Sequence, residues 1–280
     1  MDWKGKVRPW KVSLFRTGME DGLSRIDEIE RAAALAGDIL LSHASEDMEI
    51  SRKSGHELVT AADLRSEEFL RERLREIEPG AGFLGEESSG GELPKPPFWI
   101  VDPLDGTNNF AHGYPMFSVS IAYWDGDRVA RGCVYDPLRK EFFSAERGSG
   151  AFLNGAAVKC TEREDLSDCL VATGFPYHRR EGDPGVDLSV LEFFLGKVQG
   201  VRRGGSAALD LSYVACGRLD GFFEESLKPW DMAAGCLLVT EAGGSVSAYS
   251  GGGWSVFSQG VVASGRSIHG PMRNGIRRGL

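Results

Sequence analysis

Trp99-Ile100-Val101-Asp102-Pro103-Leu104-Asp105-Gly106-Thr107-Asn108-Asn109-Phe110 is the stretch on which the reading of this chain turns. An apolar run, 98–101, reads as a short buried strand. Asp102 and Asp105 follow on a turn stiffened by Pro103. Two carboxylates this close repel each other unless a cation lies between them. An isolated pair of this kind is ordinarily a turn former. Directly behind a buried strand it sits at the carboxyl edge of a sheet, where α/β proteins bind ligands. Gly106 and Thr107 come next. At a helix start their N–H groups can meet phosphate oxygens, and glycine allows close approach. Thr107 alone reads as a helix N-cap.

Two further acids point to the same edge. Gly85-Glu86-Glu87-Ser88 follows the apolar Phe83-Leu84 and precedes the Asp102 strand, so it can deliver Glu86 there. In Lys228-Pro229-Trp230-Asp231 the proline opens a helix, and Asp231 falls in its first turn. A carboxylate there interacts with the helix dipole, and aimed outward it is a good metal ligand. Carboxylates and carbonyls are hard donors that suit Mg²⁺ better than Zn²⁺.

Outward from these motifs, apolar residues recur every three or four positions over 23–47, which predicts an amphipathic helix. A second helix follows Val59-Thr60-Ala61-Ala62-Asp63, with Leu64, Phe69, Leu70, Leu74 and Ile77 as its stripe, and ends at Pro79-Gly80. Asp63 lies near its start. Strands over 117–124, 128–135 and 141–146, joined by turn residues, predict an antiparallel meander. The second half alternates: strands at 169–173, 219–224, 245–249 and 260–264, helices at 187–198, 206–216 and 230–242. This predicts an α/β layer structure. The expected division is an N-terminal extension over 1–22, an α+β part over 23–155 and an α/β part over 156–280.

Composition sets the outer limits. The 280 residues carry a net charge of −9, with 41% apolar and 26% charged residues. An acidic surface argues against nucleic acid as the main partner. No stretch approaches the ~18 apolar residues of a membrane span, and the first twenty residues lack the apolar core of a signal peptide. Five cysteines without a C-x-x-C pair read as reduced thiols of a cytoplasmic protein.

Taken in order, Glu86, Trp99 to Thr107 and Trp230-Asp231 through Glu241-Ala242-Gly243-Gly244 resemble the inositol monophosphatase family of lithium-sensitive, magnesium-dependent phosphatases. The resemblance runs from about residue 24 to about 270. It includes Glu57 to Asp63, Thr173 to Pro176 and Gly205 to Ala208. It implies a layered α-β-α-β-α sandwich, usually homodimeric, in the wider fructose-bisphosphatase group. It implies two to three Mg²⁺ ions. Glu86, Asp102 and the Leu104 carbonyl would hold the first, and Asp102, Asp105 and Asp231 the second. A third, weaker ion would rest on Glu86 and waters, near Asp63. Glu86 and Thr107 would orient the attacking water, with Asp63 accepting from the Thr107 hydroxyl. Gly106, Thr107, Gly205, Ser206, Ala207, Glu224 and Asp231 would meet the substrate. The implied reaction is hydrolysis of a small phosphate ester, myo-inositol 1-phosphate or a similar polyol phosphate. Alternatives on the same site are fructose-1,6-bisphosphatase, 3′(2′),5′-bisphosphate nucleotidase and histidinol-phosphate phosphatase. Arg202-Arg203 keeps the first of these open. A non-catalytic metal-binding protein is the rival of a different class.

Overall fold

The computed structural model describes residues 24–44, 50–54, 57–88, 90, 93–176 and 188–279. The expected extension over 1–22 lies outside them. The chain runs α1 (Arg25–His43), β1 (Ile50–Ser54), β2 (Glu57–Thr60), α2 (Ala61–Ile77), β3 (Gly82–Gly85), β4 (Phe98–Asp105), α3 (Thr107–Ala111), β5 (Ser118–Trp124), β6 (Val129–Asp136), β7 (Glu141–Glu146), β8 (Gly150–Leu153) and β9 (Ala156–Val158). It continues with β10 (Leu170–Thr173), α4 (Leu188–Leu195), β11 (Gly200–Arg202), α5 (Ala207–Ala215), β12 (Gly221–Glu225), α6 (Pro229–Glu241), β13 (Ser245–Ala248), β14 (Gly260–Ser264) and α7 (Arg266–Gly279).

Helix starts follow from local chemistry. Ser24 caps α1 in a reciprocal box with Asp27, and Thr60 caps α2 in the same way with Asp63. Pro229 occupies the first turn of α6, where its missing N–H leaves no intrahelical bond unmade.

The expected meander is present. Strands β4 to β9 form a continuous antiparallel run in one sheet, and β3 adds to its edge parallel to β4. The second sheet has the order β11-β10-β12-β14-β13; β10 is parallel to both neighbours, and β12, β14 and β13 are antiparallel. Strand side chains alternate between faces, and the cores follow. Trp99, Val101 and Ile121 pack under α1 and α2, while Phe98, Ile100 and Ala122 face α5 and α6. Phe222, Val261 and Ala263 cover the far side of that helix layer; Phe223 and Val262 face α4 and α7. The layers are therefore helix, sheet, helix, sheet, helix, as expected.

Four features differ from the sequence reading. β4 runs on to Asp105 rather than stopping near Val101. The helix α7 was not expected, because Gly270, Pro271 and Gly275 break its pattern. The short strands β1, β2, β3, β8, β9 and β11 carry too few alternating residues to be legible. Leu64 was placed on the buried stripe of α2 and is instead 54% exposed.

Candidate active site

The continuation of β4 sets the geometry. Residues three apart on a regular strand point to opposite faces. Here Asp102 pairs with Ser120 and Asp105 with Ser118, so Pro103 and Leu104 together oppose Val119 alone. This bulge, at a proline that has no N–H for the ladder, restores the phase. Asp102 and Asp105 consequently share the face toward α5 and α6.

Each acid is then held by named donors. The Leu104 N–H donates to Asp102 Oδ1 at 2.9 Å. Asp105 Oδ2 accepts from the Ser206 hydroxyl at 2.5 Å and the Ala208 N–H at 2.9 Å, both at the N-terminus of α5. Asp231, in the first turn of α6, accepts from the Lys228 N–H at 2.7 Å. The Ser120 hydroxyl donates to the Trp230 carbonyl at 3.2 Å and ties that turn to β5. Asp63 Oδ1 lies 3.0 Å from the Thr107 hydroxyl, which is also 3.0 Å from the Leu104 carbonyl. The Asp63–Thr107 pairing named in the sequence reading is thus present. The Glu86 N–H donates to the Val101 carbonyl at 3.1 Å, which brings the Glu86 loop beside the same strand.

Charge binds these residues into one site. Burial pushes Asp102 well above the usual carboxylate range, and the negative charges of Glu86, Asp105 and Asp231 push it further. Asp231 is raised in the same way by burial and then by Glu86. Burial raises Asp105 to about 6 even though Ser206 and Ala208 oppose the shift. Such mutual destabilisation marks a cluster short of positive charge. Among the described residues no three of these side chains already close into a cage for an ion; the acids interact through charge. Their donors are all oxygen, which fits a hard divalent cation.

The second side of the site is a cleft of about 370 Å³ that includes Glu86, Glu224 and Asp231, with Phe175, Leu227, Trp230 and Lys228 among its walls. Burial and the nearby Asp210 raise Glu224 to about 8, with Arg203 acting against the shift. Gly106 takes φ +97°, and a Cβ there would press on the Met116 and Gly205 carbonyls. Gly205 takes φ +86°, so the two left-handed turns can touch. The Ser206 hydroxyl is spent on Asp105, as is the Ala208 N–H, and the Ser206 carbonyl accepts from the Asp210 N–H at 3.0 Å.

Sequence reasoning missed three supports. Asn109 Nδ2 donates to the Met116 carbonyl at 2.6 Å and the Gly204 carbonyl at 2.9 Å, pinning the 204–206 turn to the Asp105 loop. Asp210, buried on α5, feels the charges of Asp105 and Arg203. Glu67 on α2 reaches the Glu86 loop, with the Glu87 N–H donating to it at 2.8 Å. An acid one helical turn after another ordinarily marks a solvated face, so nothing in the sequence distinguished Glu67.

Comparison with known proteins places the chain in a family. The model of the inositol monophosphatase family matches residues 23–278. The inositol-1-monophosphatase of Rhizobium meliloti is 42% identical over 236 residues, 83% of this chain and 88% of the relative. A protein named Nus factor SuhB from Escherichia coli K12 is 41% identical over 238 residues, with 83% and 88% covered. The crystal structure of extragenic suppressor protein suhB from Bartonella henselae superposes with a TM-score of 0.85 at 40% identity, covering 91% of this chain and 98% of that one. The inositol monophosphatase of Anabaena gives 0.80 at 38% identity, with 90% and 95% covered. The chain belongs to the inositol monophosphatase family.

Proposed function

We propose that the protein is a Mg²⁺-dependent phosphomonoesterase that hydrolyses myo-inositol 1-phosphate or a closely similar polyol phosphate. The observation that carries this is the cluster of Glu86, Asp102, Asp105 and Asp231, whose charges oppose one another in a buried site. Family membership supports both the reaction and the metal. Glu86, Asp102 and the Leu104 carbonyl would hold one ion, and Asp102, Asp105 and Asp231 another, with a third, weaker ion on Glu86 and waters, near Asp63. When bound, the ions supply Lewis acidity that makes water a nucleophile near neutral pH and neutralises charge on the leaving oxygen.

The protein's own groups then align the reaction. The Thr107 hydroxyl, held by Asp63, and the Glu86 carboxylate orient the attacking water. The N–H groups of Gly106 and Thr107 take phosphate oxygens. Glu224 meets a hydroxyl of the alcohol, beside the backbone of Gly205, Ser206 and Ala207. No phospho-enzyme is required.

Phosphate release from myo-inositol 1-phosphate is the test. Wild-type turnover should need Mg²⁺, and Asp102→Asn should lower kcat by about 10³-fold with the fold intact by circular dichroism. Metal-independent turnover, or an active Asp102→Asn protein, contradicts the assignment. Faster turnover of fructose 1,6-bisphosphate, a nucleoside bisphosphate or histidinol phosphate would move the substrate to that alcohol. A homodimer and a cytoplasmic location belong to the same reading. The exposed Leu188 and Leu195 of α4 support the former and five free thiols the latter. Light scattering that gives the mass of a single chain would remove the dimer. Among the described residues no helix is long and apolar enough to cross a membrane.

A further inference from the structure

Three residues at the i, i+3 and i+4 positions of one face of α2 reach toward the site. Asp63 meets Thr107, the Ser66 hydroxyl donates to the Pro103 carbonyl at 3.2 Å, and Glu67 accepts from the Glu87 N–H at 2.8 Å. Glu67 is only 3% exposed. A carboxylate is buried at such a site only where partners compensate its lost hydration. Here they are the Glu87 N–H and the Arg71 guanidinium, also at 2.8 Å. Arg71 donates in turn to the Ser88 hydroxyl and lies over the Phe83 ring, 4.8 Å from its centroid. The loop is therefore gripped immediately after Glu86 at Glu87 and Ser88, and at Glu86 itself by its N–H bond to Val101. Gly85 completes the fit, since a Cβ there would overlap the Glu67 carboxylate and the Phe83 ring.

We propose that Glu67 is the positioning residue that aims the Glu86 carboxylate into the metal site, with Arg71 as its counter-charge and Gly85 as the gap that admits it. The inference rests on Glu86 being a metal ligand. A group that orients a ligand sets metal affinity as well as turnover, typically by 10–100-fold. A buried ion pair that serves only stability would leave affinity alone. One helix then carries both water-aligning arms: Asp63 through Thr107, and Glu67 through Glu86.

Mg²⁺ binding to the full chain, measured by calorimetry with the metal alone, separates the two roles. Glu67→Ala should weaken Mg²⁺ binding about 10-fold or more and speed hydrogen exchange at the Glu87 amide. Glu67→Gln, which keeps an acceptor for that amide, should stay within about 3-fold of wild type. Gly85→Ala should reproduce the Glu67→Ala loss with Glu67 unchanged in sequence. If Glu67→Ala fails to fold, Gly85→Ala and Glu67→Gln decide. Unaltered Mg²⁺ affinity in Gly85→Ala, or in a folded but less stable Glu67→Ala, overturns the proposal. Glu86→Gln is the control: if it too binds Mg²⁺ like wild type, the metal-site reading fails and the positioning role falls with it. A weakened Glu86→Gln beside an unaffected Glu67→Ala refutes the positioning role alone.

Discussion

Thr107 does two jobs at one atom, and they compete. Its hydroxyl lies equally close to Asp63 and to the Leu104 carbonyl, yet it has one proton to donate. Donation to Asp63 leaves a lone pair free to accept from a water, which the proposed alignment of the nucleophile requires. Removing the hydroxyl should therefore slow the chemical step and spare the cation. Thr107→Ala is expected to lower kcat by about 10²-fold with the Mg²⁺ half-saturation nearly unchanged, and Thr107→Ser to recover most of the rate. Steady-state kinetics over a Mg²⁺ series checks this, and an equal loss in both variants would contradict it. The gathering of Asp102, Asp105 and Asp231 at one buried place was legible in the sequence only from three motifs taken together, because each acid alone reads as a turn former or a helix-start carboxylate. The bulge that turns Asp102 and Asp105 to one face was not legible, because it depends on which residues of β5 stand opposite.

At the scale of elements, α2 shows where periodicity held and where it misled: Leu70, Leu74 and Ile77 are buried as expected, and Leu64 is not. The helix buries Asp63, Ser66 and Glu67 on the side facing the site, and leaves Leu64 in solvent. A stripe found by hydrophobicity skips polar side chains whose partners come from distant loops. The junction of β13, β14 and α7 hides a second buried polar group. His269 lies between the hydroxyls of Ser264, at 3.1 Å, and Ser247, at 3.0 Å. Burial, with the nearby Arg273 charge, lowers its pKa to about 4. The unfolded chain takes up a proton near the ordinary histidine value of about 6.5 while the folded chain resists it to about 4. Stability should therefore fall as pH drops through that window and level off below it. Urea unfolding at pH 7.5 and pH 5 should show wild type losing about 1 kcal/mol more than His269→Gln, after allowance for partial solvent screening. Equal losses would show that His269 protonates freely in the fold.

Across the whole molecule, the five layers leave one place where many chain segments meet. The end of β4, the Glu86 loop, the first turns of α5 and α6 and the flank of α2 converge there, and each contributes an acid or a group that holds one. Both helix N-termini point at carboxylates, which partly offsets the crowding of negative charge. The rest of that charge remains uncompensated in an acidic protein of net charge −9, and the proposed divalent cations would neutralise it. The layering was legible from the alternation of strands and helices, whereas the meeting point was visible only through the order of three separated motifs. Anomalous diffraction from a crystal soaked with Mn²⁺ and inorganic phosphate tests the central claim most directly. Two peaks should share Asp102, one also ligated by Glu86 and the other by Asp105 and Asp231, with phosphate beside both. Peaks elsewhere, or a single ion that leaves either Glu86 or Asp231 without metal, would contradict it.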